Sequence, residues 1–369
     1  VNKTPLWDWH SANGGKMVEF AGWQLPIQYS LGIRGEHDHT RKAVGLFDVS
    51  HMGEFRVLGD KALETLEWVT TNSVAKLKAG EAQYSLFPNS NGGVVDDLIV
   101  YCIEPSKDYL LCVNGANVAK DWAFINENNR GAELINQSLD WGQIAVQGPL
   151  AIDLLSKVTG LDCKGMGSFT FQSFQWDGDL CYYAKTGYTG EDGGEIFVPW
   201  DRTESLWKAL LASDPNPENP SVLPIGLGAR DTLRMEMKYP LYGQELADQT
   251  NPYAAKLGWV VKPKEKDFLG MGPMLNEKEQ GLSEKLVGLQ IDGRGIARTG
   301  YKAFSFDKKE IGKVTSGTLS PSLNRAIAIA YLHPDFSEVG TKLAIEIRGK
   351  MVEAQVIKTP FYRHSGEDL

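Results

Sequence analysis

Four polar side chains stand where ordinary surface residues are not expected. Asp96 and Asp97 lie inside VVDDLIV, flanked by apolar residues on both sides. Successive strand residues face opposite ways, so one carboxylate can be wet while the other is partly buried. The flanking runs VVDDLIVYCI (94–103) and DYLLCVN (108–114) are rich in β-branched and aromatic residues and are joined by EPSK, the pattern of a hairpin. Strand ends at 103 and 108 set Asp97 across from Asn114. The plain alternative is an edge or strand-start carboxylate. Asn114 and the preceding NGG turn favour a functional one.

Glu195 opens a strand directly after the loop GYTGEDGG, whose glycines let backbone approach a ligand closely. A carboxylate there matches the amino-pyrimidinone edge of a pterin or guanine by paired hydrogen bonds. A solvated turn residue is the competing reading. Arg230 follows IGLGA at a helix start, where a cation opposes the helix dipole. Anion binding or an ordinary surface ion pair would each account for it.

Familiar catalytic signatures are missing. There is no Walker A run, no G-x-G-x-x-G between strand and helix, and no G-x-S-x-G elbow. His37-Asp38-His39 is the one metal-like cluster, but i and i+2 on a helix point to different faces, so a surface or capping role is expected. No metal site is read from the sequence.

These residues need elements to hold them. Helical patterning covers Arg34 to Ala43, Lys61 to Val69, LAIDLLSKV after Gln147-Gly148-Pro149, Ser205 to Ala212, and Ala229 to Met237. A second hairpin joins DLCYYAKT (179–186) to EIFVPW (195–200) through the glycine-rich loop. Helices and hairpins alternating irregularly indicate an α+β fold. After residue 282 the helical period ends, and KLVGLQI, KAFSF, EIGKVTSGT, RAIAIAYL, KLAIEIRG and MVEAQVIKT follow at short spacing. Six short strands predict a compact all-β barrel or sandwich. The charged stretch LNEKEQGLSEK (275–285) reads as the linker, giving domains over 1–280 and 281–369.

Composition narrows the partners. The 369 residues are 42% hydrophobic and 23% charged, the balance of a folded chain rather than a disordered one. A net charge of −9 argues against nucleic acid as a partner. No apolar run is long enough to span a membrane. Cys102, Cys112, Cys163 and Cys181 have no paired spacing, and three sit in apolar stretches, so reduced core thiols and an intracellular compartment are expected. The first ten residues lack a signal-peptide or transit composition.

Taken together, GGKMVEFAGWQLPIQY, GLFDVSHMGE, GGVVDDLIVY, AVQGP, GYTGEDGGEI, GLGARDTLRMEM, YG and IGKVTSGTLSPSL resemble the T-protein family of the glycine cleavage system. The match runs in order from about Thr4 to Phe361, nearly the whole chain. The resemblance implies two interleaved α+β lobes around a central folate channel, with a C-terminal β-barrel as third lobe. It also implies an aminomethyltransferase, which takes the one-carbon unit from the lipoyl group of H-protein. Transfer to tetrahydrofolate gives 5,10-methylenetetrahydrofolate, ammonia and dihydrolipoyl H-protein. Tetrahydrofolate is a co-substrate, lipoate stays on the partner, and no metal is required.

Residue by residue, the second aspartate of the family's G-G-x-x-D-D-L motif falls on Asp97, the implied catalytic carboxylate. The folate-binding positions fall on Asn114, Glu195, Tyr188, Arg230, Met52 and Tyr84, with Arg363 the candidate for a C-terminal contact. Two alternatives share the fold: a tetrahydrofolate-dependent demethylase of a sulfonium compound, and a non-catalytic maturation factor marked by K-G-C-x-x-G. The chain has Lys185-Thr186-Gly187 without a cysteine there, which argues against the latter. The resemblance places a bacterial form in the cytoplasm and a processed eukaryotic form in the mitochondrial matrix.

Overall fold

The computed structural model describes residues 1–214 and 220–364. By packing, the chain divides into two compact units, Val1–Ser85 with Asp97–Asp231, and Leu86–Asp96 with Thr232–Leu369. Both α-helices and several sheets are present, so the α+β expectation holds.

In the first unit two sheets are interleaved along the sequence. One is ordered Phe171–Trp176, Asp179–Ala184, Gly193–Pro199, Trp141–Gln147, Val44–Asp48 and Val222–Pro224. The other, of which the stretches Leu86–Pro88 and Val94–Asp96 are counted with the second unit, is ordered Ala82–Pro88, Val94–Glu104, Asp108–Val113, Gly53–Leu58 and Glu133–Asn136. Strand Val44–Asp48 thus serves the first sheet, while Gly53–Leu58, five residues later, serves the second.

Each sheet has a reason to be buried. One face of the six-stranded sheet carries Ile144, Val146, Ile196 and Val198, which pack against Leu154, Leu155, Leu206, Trp207 and Leu210 from the helices Ala151–Thr159 and Thr203–Ala212. The other face presents Tyr182, Ala184 and Phe197 to Tyr101, Leu110 and Cys112 of the five-stranded sheet. Edge-on ring contacts of Tyr101 with Phe171 and Phe197, both with centroids 5.4 Å apart, fix the two faces together. The amino-terminal segment is tied down from below. Thr4 donates to Asp48 at 2.6 Å, His10 lies 2.9 Å from the same carboxylate oxygen, and Tyr29 meets the other ring nitrogen of His10 at 2.7 Å.

The second unit holds the closed six-stranded barrel, ordered Lys285–Ile291, Arg325–Leu332, Glu310–Ser320, Lys302–Phe304, Lys342–Ile347 and Lys350–Ile357. All six strands match the six sequence runs. Alternate residues such as Leu289, Ala328, Ala330 and Ile345 fill the interior. A buried ion pair, Arg234 to Glu245 at 2.9 Å, is completed by Thr315 and Ser316, each donating to Glu245 at 2.6 Å.

Two sequence expectations need correction. The stretch read as a linker is mostly helix, Met271–Gln280, because Met274 is buried and its face packs on Val261 and Phe268. Only 281–284 remains as connecting chain before the barrel. His37 is not a surface residue but fully buried, since Glu36, His37 and Thr40 form the inward face of helix Gly32–Lys42. His39 is half-buried and its Nε2 lies 3.1 Å from the Ser221 carbonyl oxygen, so the pair does serve different faces.

Candidate active site

The site is built in the first unit, where the two sheets face each other. The hairpin register is the one the strand ends imply: Leu98 pairs with Val113 and Ile99 with Cys112, one step from Asp97 and Asn114. Asn114 Nδ2 donates to Asp97 Oδ1 at 2.8 Å and to the Asp97 carbonyl at 3.2 Å. Tyr84 Oη donates to Asp97 Oδ2 at 2.9 Å. Both carboxylate oxygens are therefore held, each by a neutral donor, which fixes the carboxylate's direction without neutralising it. Asp96 is fully buried and Asp97 half-buried, as strand alternation requires.

A second group gathers around the glycine-rich loop. Glu195 pairs with Ala184 in the sheet, and Thr186 Oγ1 donates to Glu195 Oε2 at 2.5 Å. The Arg230 guanidinium stacks over the Tyr188 ring at 4.9 Å. Burial pulls Arg230 below the ordinary arginine range, against the raising influence of Glu195 and Tyr188. Arg230 also lines a narrow cleft with Phe47, Asp48 and Gly226. Side-chain alternation puts Glu195 and Phe197 on the same face, the one turned toward Tyr101 and Cys112.

The loop is held by residues that sequence reasoning passed over. Gln147 Nε2 donates to the carbonyls of Thr186 and Gly194, both at 3.3 Å, and Thr189 Oγ1 donates to Gln147 Oε1 at 2.8 Å. Arg41 donates to the Thr189 carbonyl and to Glu191, both at 2.7 Å. Gly194 is required here: a Cβ would meet Tyr183 Cε2 at 2.2 Å and the Ala184 carbonyl oxygen at 2.4 Å. Gln147 stood in the sequence as a turn residue, and only its burial among loop carbonyls reveals the role.

Met52 packs against the shared apolar cluster that also holds Tyr101 and Cys112. Beside it, His51 is buried and its imidazole is pushed down to about 4, first by burial and then by the Arg230 charge. Of the eight candidate residues, Asp97, Asn114 and Tyr84 form one hydrogen-bonded group, and Glu195, Arg230 and Tyr188 are gathered around the loop. Arg363 is exposed and belongs to the second unit.

All four cysteines are free and buried, and burial pushes the Cys112 thiol well above its ordinary value, which disfavours a thiolate there. Among the described residues no group of three His, Cys, Asp or Glu side chains is placed to hold a metal. An open cleft of about 390 Å³ beside Ala79, Asp162, Met166 and Phe171 contains none of the candidate residues, and Asp162 is its only ionisable lining side chain.

Comparison with known proteins agrees across the chain. Residues 6–265 match the GCVT N-terminal domain, and residues 284–363 match the glycine cleavage T-protein C-terminal barrel domain. An aminomethyltransferase of Bdellovibrio bacteriovorus is 53% identical over 361 residues, covering 98% of this chain and 99% of the relative. That of Bacteroides thetaiotaomicron is 46% identical over 364 residues, covering 98% and 99%. The crystal structure of the glycine cleavage system aminomethyltransferase T from Bartonella henselae superposes with a TM-score of 0.91 at 33% identity, covering 98% of each chain.

Proposed function

The chain belongs to the glycine cleavage T-protein family, as an aminomethyltransferase of that system, and from this premise we propose how its residues do the work. The donor is the aminomethyl group carried on the lipoyl sulfur of H-protein, and the acceptor is tetrahydrofolate. Breaking the carbon–sulfur bond leaves the carbon as a cationic iminium. Asp97 faces that charge. A carboxylate already oriented by Tyr84 and Asn114 stabilises the cation without reorganising, which water cannot do.

The balance of protons gives Asp97 a second task. Two N–H protons leave the folate amines as their bonds to the carbon form; one ends on the lipoyl thiol and the other on the departing ammonia. Asp97 holds and passes these protons. Glu195, positioned by Thr186, takes the amino-pyrimidinone edge of the pterin, while Arg230 and Tyr188 grip parts that do not react. Met52 contributes apolar contact. Enclosure between the sheets keeps free iminium from hydrolysing to formaldehyde.

The observation that carries this reading is the doubly held Asp97 carboxylate. Among the described residues no helix is long and apolar enough to cross a membrane, and the relatives above are bacterial, which supports a cytoplasmic location. The test is methylenetetrahydrofolate formation from aminomethylated H-protein, with dimethylsulfoniopropionate as comparison donor. Activity with H-protein alone is expected. Activity only with the sulfonium compound would overturn the reading.

A further inference from the structure

Glu54 is a buried acid with nothing to bind. It is 1% exposed, and neither carboxyl oxygen has a hydrogen-bond partner. An unsatisfied buried polar group costs about 1–3 kcal/mol, so its presence calls for a ligand or a role. Its placement says where that ligand lies. Glu54 pairs with Cys112, which pairs on its other side with Ile99. Alternation along these strands puts Glu54, Cys112, Ile99, Asp97 and Asn114 on one face, the face turned to Glu195. Glu54 is therefore on the neighbouring strand, in the row two residues along from the Asp97–Asn114 pair.

The surroundings repeat the signal. The buried Nδ1 of His51 is unpartnered too, and Tyr101, on the same face as Glu54, is 1% exposed. Glu195 and Glu54 both act electrostatically on Tyr101 and on Cys112, and Arg230 acts on Cys112 and His51. Burial raises the Glu54 carboxyl well above the usual range. With neither buried oxygen hydrogen-bonded, the neutral form is the one the site favours, and it offers one O–H donor and one carbonyl acceptor side by side.

We propose that Glu54 reads the oxidation state of the bound pterin, its carboxyl group pairing with the C4-carbonyl and N5–H edge of a tetrahydropterin. This rests on the folate reading above. With Glu195 on the 2-amino and N3–H edge, the edge adjoining N3 is the C4 oxygen, an acceptor, beside N5. In tetrahydrofolate N5 carries a proton and matches the acid's carbonyl oxygen. In folic acid N5 is a bare acceptor and leaves that oxygen unpaired. A site built to pair a polar group rejects the analogue that lacks it.

Equilibrium binding of tetrahydrofolate and folic acid, under anaerobic conditions, to the full chain tests this. The wild type should prefer tetrahydrofolate, and Glu54→Gln, which keeps one donor and one acceptor, should retain most of that preference. Glu54→Leu should lose about tenfold or more in tetrahydrofolate affinity with folic acid unchanged. Should Glu54→Leu fail to fold, difference infrared spectroscopy of the wild type replaces it. The carbonyl band of a protonated carboxylic acid, absent in Glu54→Gln, should shift when tetrahydrofolate is added. An unchanged ratio in Glu54→Leu, or a band that does not move, would overturn the assignment. A wild type that binds neither compound would overturn the folate reading itself, and this assignment with it.

Discussion

At the residue scale, the site separates one carboxylate held for chemistry from a group held for grip. Glu195 is fixed by Thr186, and Arg230 lies over Tyr188, so loss of either should be felt in binding first. Glu195→Gln or Arg230→Ala should weaken tetrahydrofolate binding by about 1.5–3 kcal/mol, measured by titration calorimetry. Unchanged affinity in both would move the pterin site elsewhere. His51 supplies a pH prediction. Burial and the Arg230 charge lower its imidazole from 6.5 to about 4, so the unfolded chain takes up the proton first. The stabilising contribution is whole above about pH 6.5 and is lost as pH falls toward 4, amounting to roughly 3 kcal/mol. Urea unfolding across that range should show this loss, and His51→Gln should show less of it. Equal slopes in both would mean His51 carries no such share.

Elements explain why these residues meet. The Asp97–Asn114 contact was legible because a four-residue connection and β-branched runs leave a hairpin little choice of register, and Leu98 to Val113 follows from it. The barrel was legible for a similar reason, since six short runs separated by turn residues admit few other readings. What escaped depends on tertiary contacts. Met274 is the one fully buried residue of the helix 271–280, with Met271 packed beside it, and a local pattern with one buried residue does not announce itself. His37 and Glu54 have polar side chains on faces that turn inward, and only the packing partners reveal which face that is. The glycine-rich loop yields a prediction at this scale. Gly194→Ala sets a Cβ against Tyr183 and the Ala184 backbone, so the strand carrying Glu195 must shift. Stability should fall by about 1–3 kcal/mol, with folate affinity falling alongside. A variant that is as stable and binds as well would show that the close approach is not needed.

For the whole molecule, binding and domain division can be read from bulk measurements. We keep the boundary near residue 280 as a proposal, with the exposed segment 281–284 as the place where a protease should cut and release the barrel. Cleavage confined to 309–350 would refute it. Tetrahydrofolate at about 100 times its dissociation constant should stabilise the chain by roughly 2.7 kcal/mol, and no shift in Tm would count against the folate reading. The most direct test of the central claim joins the complete chain to loaded H-protein and tetrahydrofolate in a single turnover, with Asp97→Asn beside the wild type. The substitution keeps the shape and removes the charge that Tyr84 and Asn114 orient. Transfer should slow by about 10²–10⁴ with folate affinity little changed. Transfer at the wild-type rate, or a normal rate bought back simply by adding more folate, would contradict the role given to Asp97.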